Sequence, residues 1–223
     1  MTNIDRGMTK NPELLANKAQ DALWAALRAG TLREGQFVSM SQLVETLEYP
    51  IAAIREAVKQ ASSMGLLTTL PKRGVQIMEA NAQTIRECLD FRLVFDQEGA
   101  RRRISDGNLE GLDTLRESHL AMLKVAQQDA QTGVPAQAIK IDLSLHDYLS
   151  DGLGNAHLAG AYQANRMRIA IIQNARPFLT VRVASAMEEH LRIIDSLAKR
   201  DADAAIAAIR THFDQTLQWW GVD

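Results

Sequence analysis

The sequence of 223 residues has little cysteine, no long apolar run and almost no net charge, and each shortage excludes a class of protein. A single cysteine, Cys88, cannot form a disulfide within the chain, which favours a reducing compartment. The longest apolar runs have six residues, far fewer than the roughly 20 that a membrane-spanning helix needs. The first residues contain no apolar stretch typical of a secretory signal. We therefore expect a cytoplasmic protein without a membrane span.

Opposite charges nearly balance, with 25 Lys and Arg against 27 Asp and Glu. This balance excludes a wholly basic nucleic-acid coat but leaves room for a local basic face. Residues 1–78 carry nine basic and seven acidic side chains, whereas the remainder is net acidic. The difference is small, and it favours an anion-binding module in the N-terminal part.

Turn residues and apolar periodicity predict a winged helix-turn-helix domain over residues 1–79. Ser39 and Gln42 have the spacing of a capping box, and Pro50 suits the start of the next helix. Gly65 ends that helix, and the turn from Pro71 to Gly74 joins two strands. The predicted elements are helices at residues 11–29, 39–47 and 50–64 and strands at residues 66–70 and 75–78.

The pattern after residue 80 is helical almost throughout, with short breaks at glycine and proline. Long helices joined by short loops predict an antiparallel all-α helical bundle over residues 80–223, so the fold class is mainly α. The predicted helices lie at residues 84–105, 109–131, 135–150, 155–175, 177–198 and 202–220.

Histidines and one aspartate have a spacing that could form a metal site. Asp142 and His146 are four residues apart and share a helix face, while His190 and His212 lie at equal distances from the turn between the last two helices. Such a set suits Zn, Ni, Mn or Fe rather than Ca or Mg. A single histidine on an apolar helix is more often a core residue, and His119 and His157 have no partner at metal spacing.

The N-terminal part resembles the GntR family of bacterial transcription regulators over residues 12–79. The resemblance is carried by Ile54–Ala57, Gly65–Leu67 and the turn Pro71–Gly74. It implies binding to a double-stranded DNA operator. Ile51 and Ala52 stand where the family places polar side chains, so base reading is expected to be weak. The remaining candidate DNA contacts are Ser41, Arg55, Lys59, Lys72, Arg73 and Gly74.

The C-terminal part resembles the FCD ligand-binding domain of the FadR-type subgroup of that family. Its Asp-x-x-x-His element matches Asp142–His146, and its Glu-His-x-x-Ile element matches Glu189–Ile193. The resemblance implies a divalent transition metal as cofactor, and it implies a small organic acid effector held by Arg92 and Arg166. The implied metal ligands are Asp142, His146, His190 and His212.

These observations predict a metabolite-responsive transcriptional regulator that binds DNA as a homodimer. Neither a nucleophile elbow nor a Walker loop nor a dinucleotide fingerprint is present, so we expect no enzymatic activity. Two alternatives remain. One is a metal-dependent enzyme, because such a metal could activate water. The other is a family member that has lost sequence-specific DNA binding.

Overall fold

The computed structural model describes residues 12–128, 134–176 and 180–222, and the chain divides into two compact units between Glu79 and Ala80. The predicted helices at residues 109–131 and 177–198 extend into positions outside these ranges. Within them, none of the helices is both long enough and apolar enough to cross a membrane. The mainly α fold class, with a winged helix-turn-helix followed by a helical bundle, is confirmed.

The N-terminal unit contains three helices and a small antiparallel sheet with strand order β1-β3-β2. The sequence predicts the last two strands but not the first, which has only two residues and therefore shows no alternation. Its elements are α1 Pro12–Arg28, β1 Phe37–Val38, α2 Met40–Leu47, α3 Ile51–Ser63, β2 Leu67–Leu70 and β3 Gly74–Ile77.

A predicted capping box opens α2. The Oγ of Ser39 accepts a hydrogen bond from the backbone N–H of Gln42, and the side chain of Gln42 accepts one from the N–H of Ser39. α2 ends at Glu48 in the left-handed conformation, with φ of 58°. Pro50 then caps α3, which buries Ala53, Ile54, Ala57, Val58 and Ala61. The opposite face, including Ile51, Ala52 and Arg55, is exposed.

The turn between β2 and β3 depends on Gly74. Its φ is +107°, and a Cβ at this position would lie 2.3 Å from the backbone oxygen of Val38 in β1. A side chain would therefore separate β1 from β3, where Val38 pairs with Val75. The structure thus gives Gly74 a packing function within the sheet.

The C-terminal unit consists of helices in the described ranges. α4 contacts α6, α7 and α9, and α8 contacts α5, α6 and α9. Its elements are α4 Ala82–Ser105, α5 Leu112–Gln127, α6 Val134–Asp151, α7 Ala156–Ala175, α8 Thr180–Ala198 and α9 Ala202–Trp219.

α4 and α6 come unusually close at Gly99. A Cβ on Gly99 would lie 2.0 Å from the backbone oxygen of Leu149. Because a methyl group cannot occupy that space, the two helix backbones touch directly there. Asp96 and His146, each three residues earlier on its helix, are thereby held side by side.

A layer of polar side chains separates two apolar clusters in this unit. The larger cluster includes Leu115, Leu145 and Ile193, and the smaller one includes Met122, Ala138 and Met187. Between them along α5, α6 and α8 lie His119, Asp142, His146 and His190, all buried. Buried polar groups require partners, so this layer is the natural candidate for a functional site.

Candidate metal centre and the adjoining cavity

Four buried side chains from three helices converge in the polar layer. Asp142 and His146 come from successive turns of α6, His190 from α8 and His212 from α9. One ligand atom from each lies within 4.8 Å of the ligand atoms of the other three. These are the four residues that the sequence predicts as metal ligands, and the helices bring all of them to one point.

Hydrogen bonds at Nδ1 fix which nitrogen of each ring carries the proton. His146 Nδ1 lies 2.7 Å from Asp96 Oδ2, and His212 Nδ1 lies 2.7 Å from Glu189 Oε2. Glu189 has a lowered pKa and is ionised, so the Nδ1–H of His212 donates to it. The ionised form of Asp96 accepts in the same way from the Nδ1–H of His146. The Nε2 atom of each neutral ring then carries a lone pair.

His119 fixes the third ring in the same way. Its Nδ1 donates to the backbone oxygen of Leu115 at 2.7 Å, so its Nε2 accepts a hydrogen bond from His190 Nδ1 at 3.2 Å. His190 Nε2 is thereby left without a proton as well. His119 is not among the four clustered ligand residues. The sequence did not reveal its hydrogen bond to His190, because the two residues are 71 positions apart in the chain.

Three unprotonated nitrogens therefore face each other. His190 Nε2 and His212 Nε2 are 3.2 Å apart, and His146 Nε2 has no hydrogen-bond partner among the described residues. Two lone pairs at this distance repel unless a cation lies between them. Tetrahedral zinc with Zn–N bonds of about 2.0–2.1 Å places its nitrogens about 3.3 Å apart. The donor set thus fits a divalent metal.

The electrostatics of the site favour the neutral rings that a metal needs. Burial lowers the pKa of His146 and His190 well below the usual value, and the charge of Arg92 lowers the pKa of both further. Burial also raises the pKa of Asp96 to about 7, against the opposing charge of Arg92. For Glu189, burial acts upward, but hydrogen bonds from His212 and Arg182 outweigh it and lower the pKa.

We expect the metal-free C-terminal unit to lose stability as the pH falls below 6.5. Burial lowers the pKa values of His119, His146 and His190 in the folded chain, so these rings bind protons more readily in the unfolded chain. Asp96 opposes this by one proton, because its pKa is raised. Since three histidines outnumber one aspartate, the balance favours unfolding as the pH falls below 6.5.

Urea unfolding with a chelator at pH 7.5, 6.5 and 5.5 measures this dependence on pH. A midpoint that stays constant or rises towards pH 5.5 would show that these histidines are not buried as neutral rings.

A cavity adjoins the cluster on one side. The space that it encloses is small, about 20 Å³, and the cavity is partly open to solvent. Arg92 on α4 is 4% exposed, lines this space and donates no hydrogen bond to the described residues. A guanidinium that lines a cavity with its donors unused by the described residues can bind an anion, which makes the cavity a candidate anion site. The lining residues are Arg92, Asp142, Gln173, Arg176, Arg182, Thr216 and Trp220.

The second arginine of the sequence prediction is not brought to this cavity. Arg166 forms two hydrogen bonds to Asp147, at 2.6 and 2.8 Å, and Tyr162 donates to the same carboxylate. Instead, Arg176 and Arg182 line the space. The sequence contained a signal for Arg182. This residue lies two helical turns before Glu189 on the same face of α8, and its guanidinium donates to the Glu189 carboxylate.

In the N-terminal unit, the side chains predicted to contact DNA are exposed. Ser41 lies in the first turn of α2, Lys72 and Arg73 lie in the turn between β2 and β3, and Arg55 and Lys59 lie on the solvent face of α3. The last two border an open groove that Met40 and Thr69 also line. These positions leave the cationic groups available to phosphates.

Residues 87–215, more than half of the chain, match the FCD domain family. The chain is 23% identical over 186 residues to the HTH-type transcriptional regulator YdhC of Bacillus subtilis (strain 168), with 83% of this chain and 81% of the relative covered. It is 26% identical over 193 residues to the Nta operon transcriptional regulator of Aminobacter aminovorans, covering 83% and 87%. The names of both relatives are those of transcriptional regulators.

Solved structures share the fold. E. coli McbR/YncC superposes with a TM-score of 0.74 at 14% identity, covering 93% of this chain and 97% of that one. A GntR-type transcriptional regulator from Rhodococcus sp. RHA1 gives a TM-score of 0.75 at 18% identity, covering 93% and 98%. At these identities, the similarity shows the architecture alone.

Proposed function

Because this chain belongs to the FCD family of GntR-type transcriptional regulators, we propose that a divalent metal and a small organic acid together control its binding to DNA. The observation that carries the proposal is the convergence of three histidine rings and Asp142 beside a cavity that the buried guanidinium of Arg92 lines. No part of a metal-dependent enzyme mechanism is needed to explain these groups.

Asp142, His146, His190 and His212 would hold the metal. Nitrogen and carboxylate ligands of this type suit Zn, Ni, Mn or Fe. Asp96, Glu189 and His119 orient the three rings through their Nδ1 atoms, and such partners strengthen metal binding. A bound divalent cation supplies positive charge at the wall of the cavity, since Asp142 belongs to both the cluster and the lining.

Arg92 would bind the carboxylate of the acid. A guanidinium can form two parallel hydrogen bonds with a carboxylate, and Arg92 has its donors unused by the described residues. The acid would therefore satisfy a group whose burial costs free energy in the unliganded chain.

We expect Arg92→Gln to weaken binding of an organic acid at least tenfold while leaving metal content unchanged. The guanidinium contributes mainly to the anion, because it donates no hydrogen bond to the described residues. We therefore expect the unfolding midpoint to change little. Calorimetry of the metal-loaded protein with succinate measures the change.

The matched control is Arg166→Gln, which removes an arginine that is paired with Asp147 outside the cavity lining. Equal affinities in the wild-type chain and Arg92→Gln would remove Arg92 from the site.

The N-terminal unit would bind a two-fold operator as part of a homodimer. In this reading, Ser41, Arg55, Lys59, Lys72 and Arg73 contact mainly phosphates. Ile51 is 42% exposed at the start of α3, where it can contact a thymine methyl group but cannot hydrogen-bond a base edge. Sequence discrimination would then rest on such methyl contacts and on DNA shape.

We expect Lys72→Ala to weaken binding to all duplexes alike and to flatten the salt dependence, because each phosphate contact contributes a slope of about 0.9 in log K against log salt. Ile51→Arg should instead favour guanine at one position of each half-site by about 5- to 150-fold, because a bidentate contact is worth about 1–3 kcal/mol. Gel shifts at two salt concentrations, after selection from random DNA, measure both effects.

Lys140→Ala, an exposed lysine of α6, is the matched control and should change neither quantity. A palindrome selected by the wild-type chain with a specificity ratio above about 10³ would contradict the weak base reading. Failure to retain any duplex at low salt would contradict DNA binding itself.

A further inference from the structure

The start of α3 exposes apolar side chains that the core of the N-terminal unit does not use. Pro50, Ile51 and Ala52 are all exposed, and Ile51 leaves 42% of its surface open to solvent. The buried face of α3 begins only at Ala53 and Ile54. Residues 50–52 therefore form a small apolar patch, and covering it by a partner would remove apolar surface from water.

Two cationic side chains continue the same face of α3. Arg55 and Lys59 follow Ile51 at intervals of four residues, so the three exposed side chains lie in one row. In helix-turn-helix proteins, the N-terminal residues of this helix contact base edges in the major groove. Cations further along the helix suit phosphates. A bound duplex would thus meet the apolar patch with its base edges and the two cations with its backbone.

A carboxylate lies close to the apolar patch. Glu48, two residues before Pro50, is exposed, and its side chain forms no hydrogen bond or ion pair with the described residues. Its φ of 58° is left-handed, a conformation that glycine or asparagine usually adopts after a helix. Its negative charge is also repelled by DNA phosphates. Because both effects are unfavourable, a glutamate here indicates a specific contact with a base.

An apolar patch beside a carboxylate matches a particular set of groups in the major groove. Cytosine presents an N4 amino group that can donate to a carboxylate, but it has no methyl group. Thymine presents a C5 methyl group, but the oxygen beside it only accepts hydrogen bonds. 5-Methylcytosine carries the amino group and the methyl group on neighbouring ring carbons. Among these pyrimidines, it alone matches both features.

We propose that the start of α3 reads 5-methylcytosine, with Ile51 against the C5 methyl group and Glu48 accepting a hydrogen bond from the N4 amino group. Methylation of cytosine in the operator then strengthens binding and so regulates it. This inference rests on the proposed function, because it specifies the base that the DNA-binding unit recognises.

The test is fluorescence anisotropy with the full chain and a duplex that it selects from random DNA in which every cytosine carries a C5 methyl group. Each 5-methylcytosine is replaced in turn by cytosine, or its base pair by thymine or uracil opposite adenine. At one position in each half-site, 5-methylcytosine should bind about fourfold more tightly than cytosine, and thymine about fourfold more tightly than uracil, because each pair differs by one methyl group. 5-Methylcytosine should exceed thymine by at least about tenfold, because only its amino group donates to the carboxylate.

Two variants separate the two contacts. Ile51→Ala should make 5-methylcytosine equal to cytosine and thymine equal to uracil, while the preference for cytosine over uracil remains. Glu48→Gln should keep the effect of the methyl group and remove the preference for 5-methylcytosine over thymine, because an amide can pair with either base. The matched controls are Leu14→Ala, at an exposed apolar residue of α1, and Glu45→Gln, at an exposed carboxylate of α2. Neither should change the order of the four bases, and the unfolding midpoint confirms that each variant is folded.

Equal binding of methylated and unmethylated bases at every position would overturn the inference and leave DNA binding intact. An effect of the methyl group that survives in Ile51→Ala would also overturn it, because the methyl group would then act through DNA shape. So would a preference for 5-methylcytosine over thymine that survives in Glu48→Gln. If the full chain retains no duplex at low salt, the DNA-binding part of the proposed function fails and the inference fails with it.

Discussion

Under the proposed function, replacing His190 and His212 together by alanine should abolish divalent metal binding and remove the stabilisation that the metal would confer. Both rings direct an unprotonated Nε2 at the same point, 3.2 Å apart, so no pair of remaining ligands can enclose a cation. At a metal concentration one hundred times Kd, the wild-type chain should gain about 2.7 kcal/mol, or roughly 5–10 °C in the unfolding midpoint. The variant should gain nothing. Elemental analysis after reconstitution and thermal unfolding with and without metal measure both effects.

His157→Ala is the matched control for this prediction, because His157 is an exposed histidine of α7 away from the cluster. It should keep the metal and the full stabilisation. Asp142→Asn preserves shape while removing a charge, so it separates loss of a ligand from loss of packing. If the double variant keeps one equivalent of metal, the ion binds elsewhere in the chain.

Gly99→Ala should destabilise the C-terminal unit by at least about 3 kcal/mol. The added methyl group would lie 2.0 Å from the backbone oxygen of Leu149 and 2.7 Å from its carbonyl carbon. Backbone atoms cannot rotate away, so α4 and α6 must move apart. Asp96 would then lose its hydrogen bond to His146, and metal affinity should fall by about 10- to 100-fold. Denaturant unfolding and metal titration measure the two losses.

Gly160→Ala is the matched control for this prediction, and we expect it to stabilise the protein rather than destabilise it. Gly160 lies inside α7, and nothing lies within 4 Å of the position of its Cβ. Alanine should stabilise the helix there by about 0.5–1 kcal/mol. If Gly99→Ala and Gly160→Ala have the same effect, the close contact between α4 and α6 is not essential.

The helices of this chain follow closely from its sequence because their signals are local. The capping box of α2 needs only Ser39 and Gln42, and both of its hydrogen bonds are present. The main exception is the start of α5, which begins at Leu112 rather than at residue 109, because Gly111 has φ of 79°. A left-handed residue breaks a helix that apolar periodicity alone would extend.

The sequence did not reveal the contacts between helices that are distant along the chain. His119 and His190 belong to different helices, and no spacing rule relates them. Arg166 was expected at the effector site on the basis of resemblance, yet it and Tyr162, one turn earlier on α7, both donate to Asp147 of α6, and Arg166 does not line the cavity. Arg176 and Trp220 line the cavity from the ends of their helices, where periodicity carries little information.

Asp142 is the single described side chain that belongs both to the metal cluster and to the wall of the cavity. Under the proposed function, the two ligands share it, so the binding of one changes the affinity for the other by an equal factor. The chain would then respond to the coincidence of its two ligands rather than to either alone. Cells short of the metal would be insensitive to the acid even when it is abundant, so that the supply of a trace element sets the threshold of a metabolic signal.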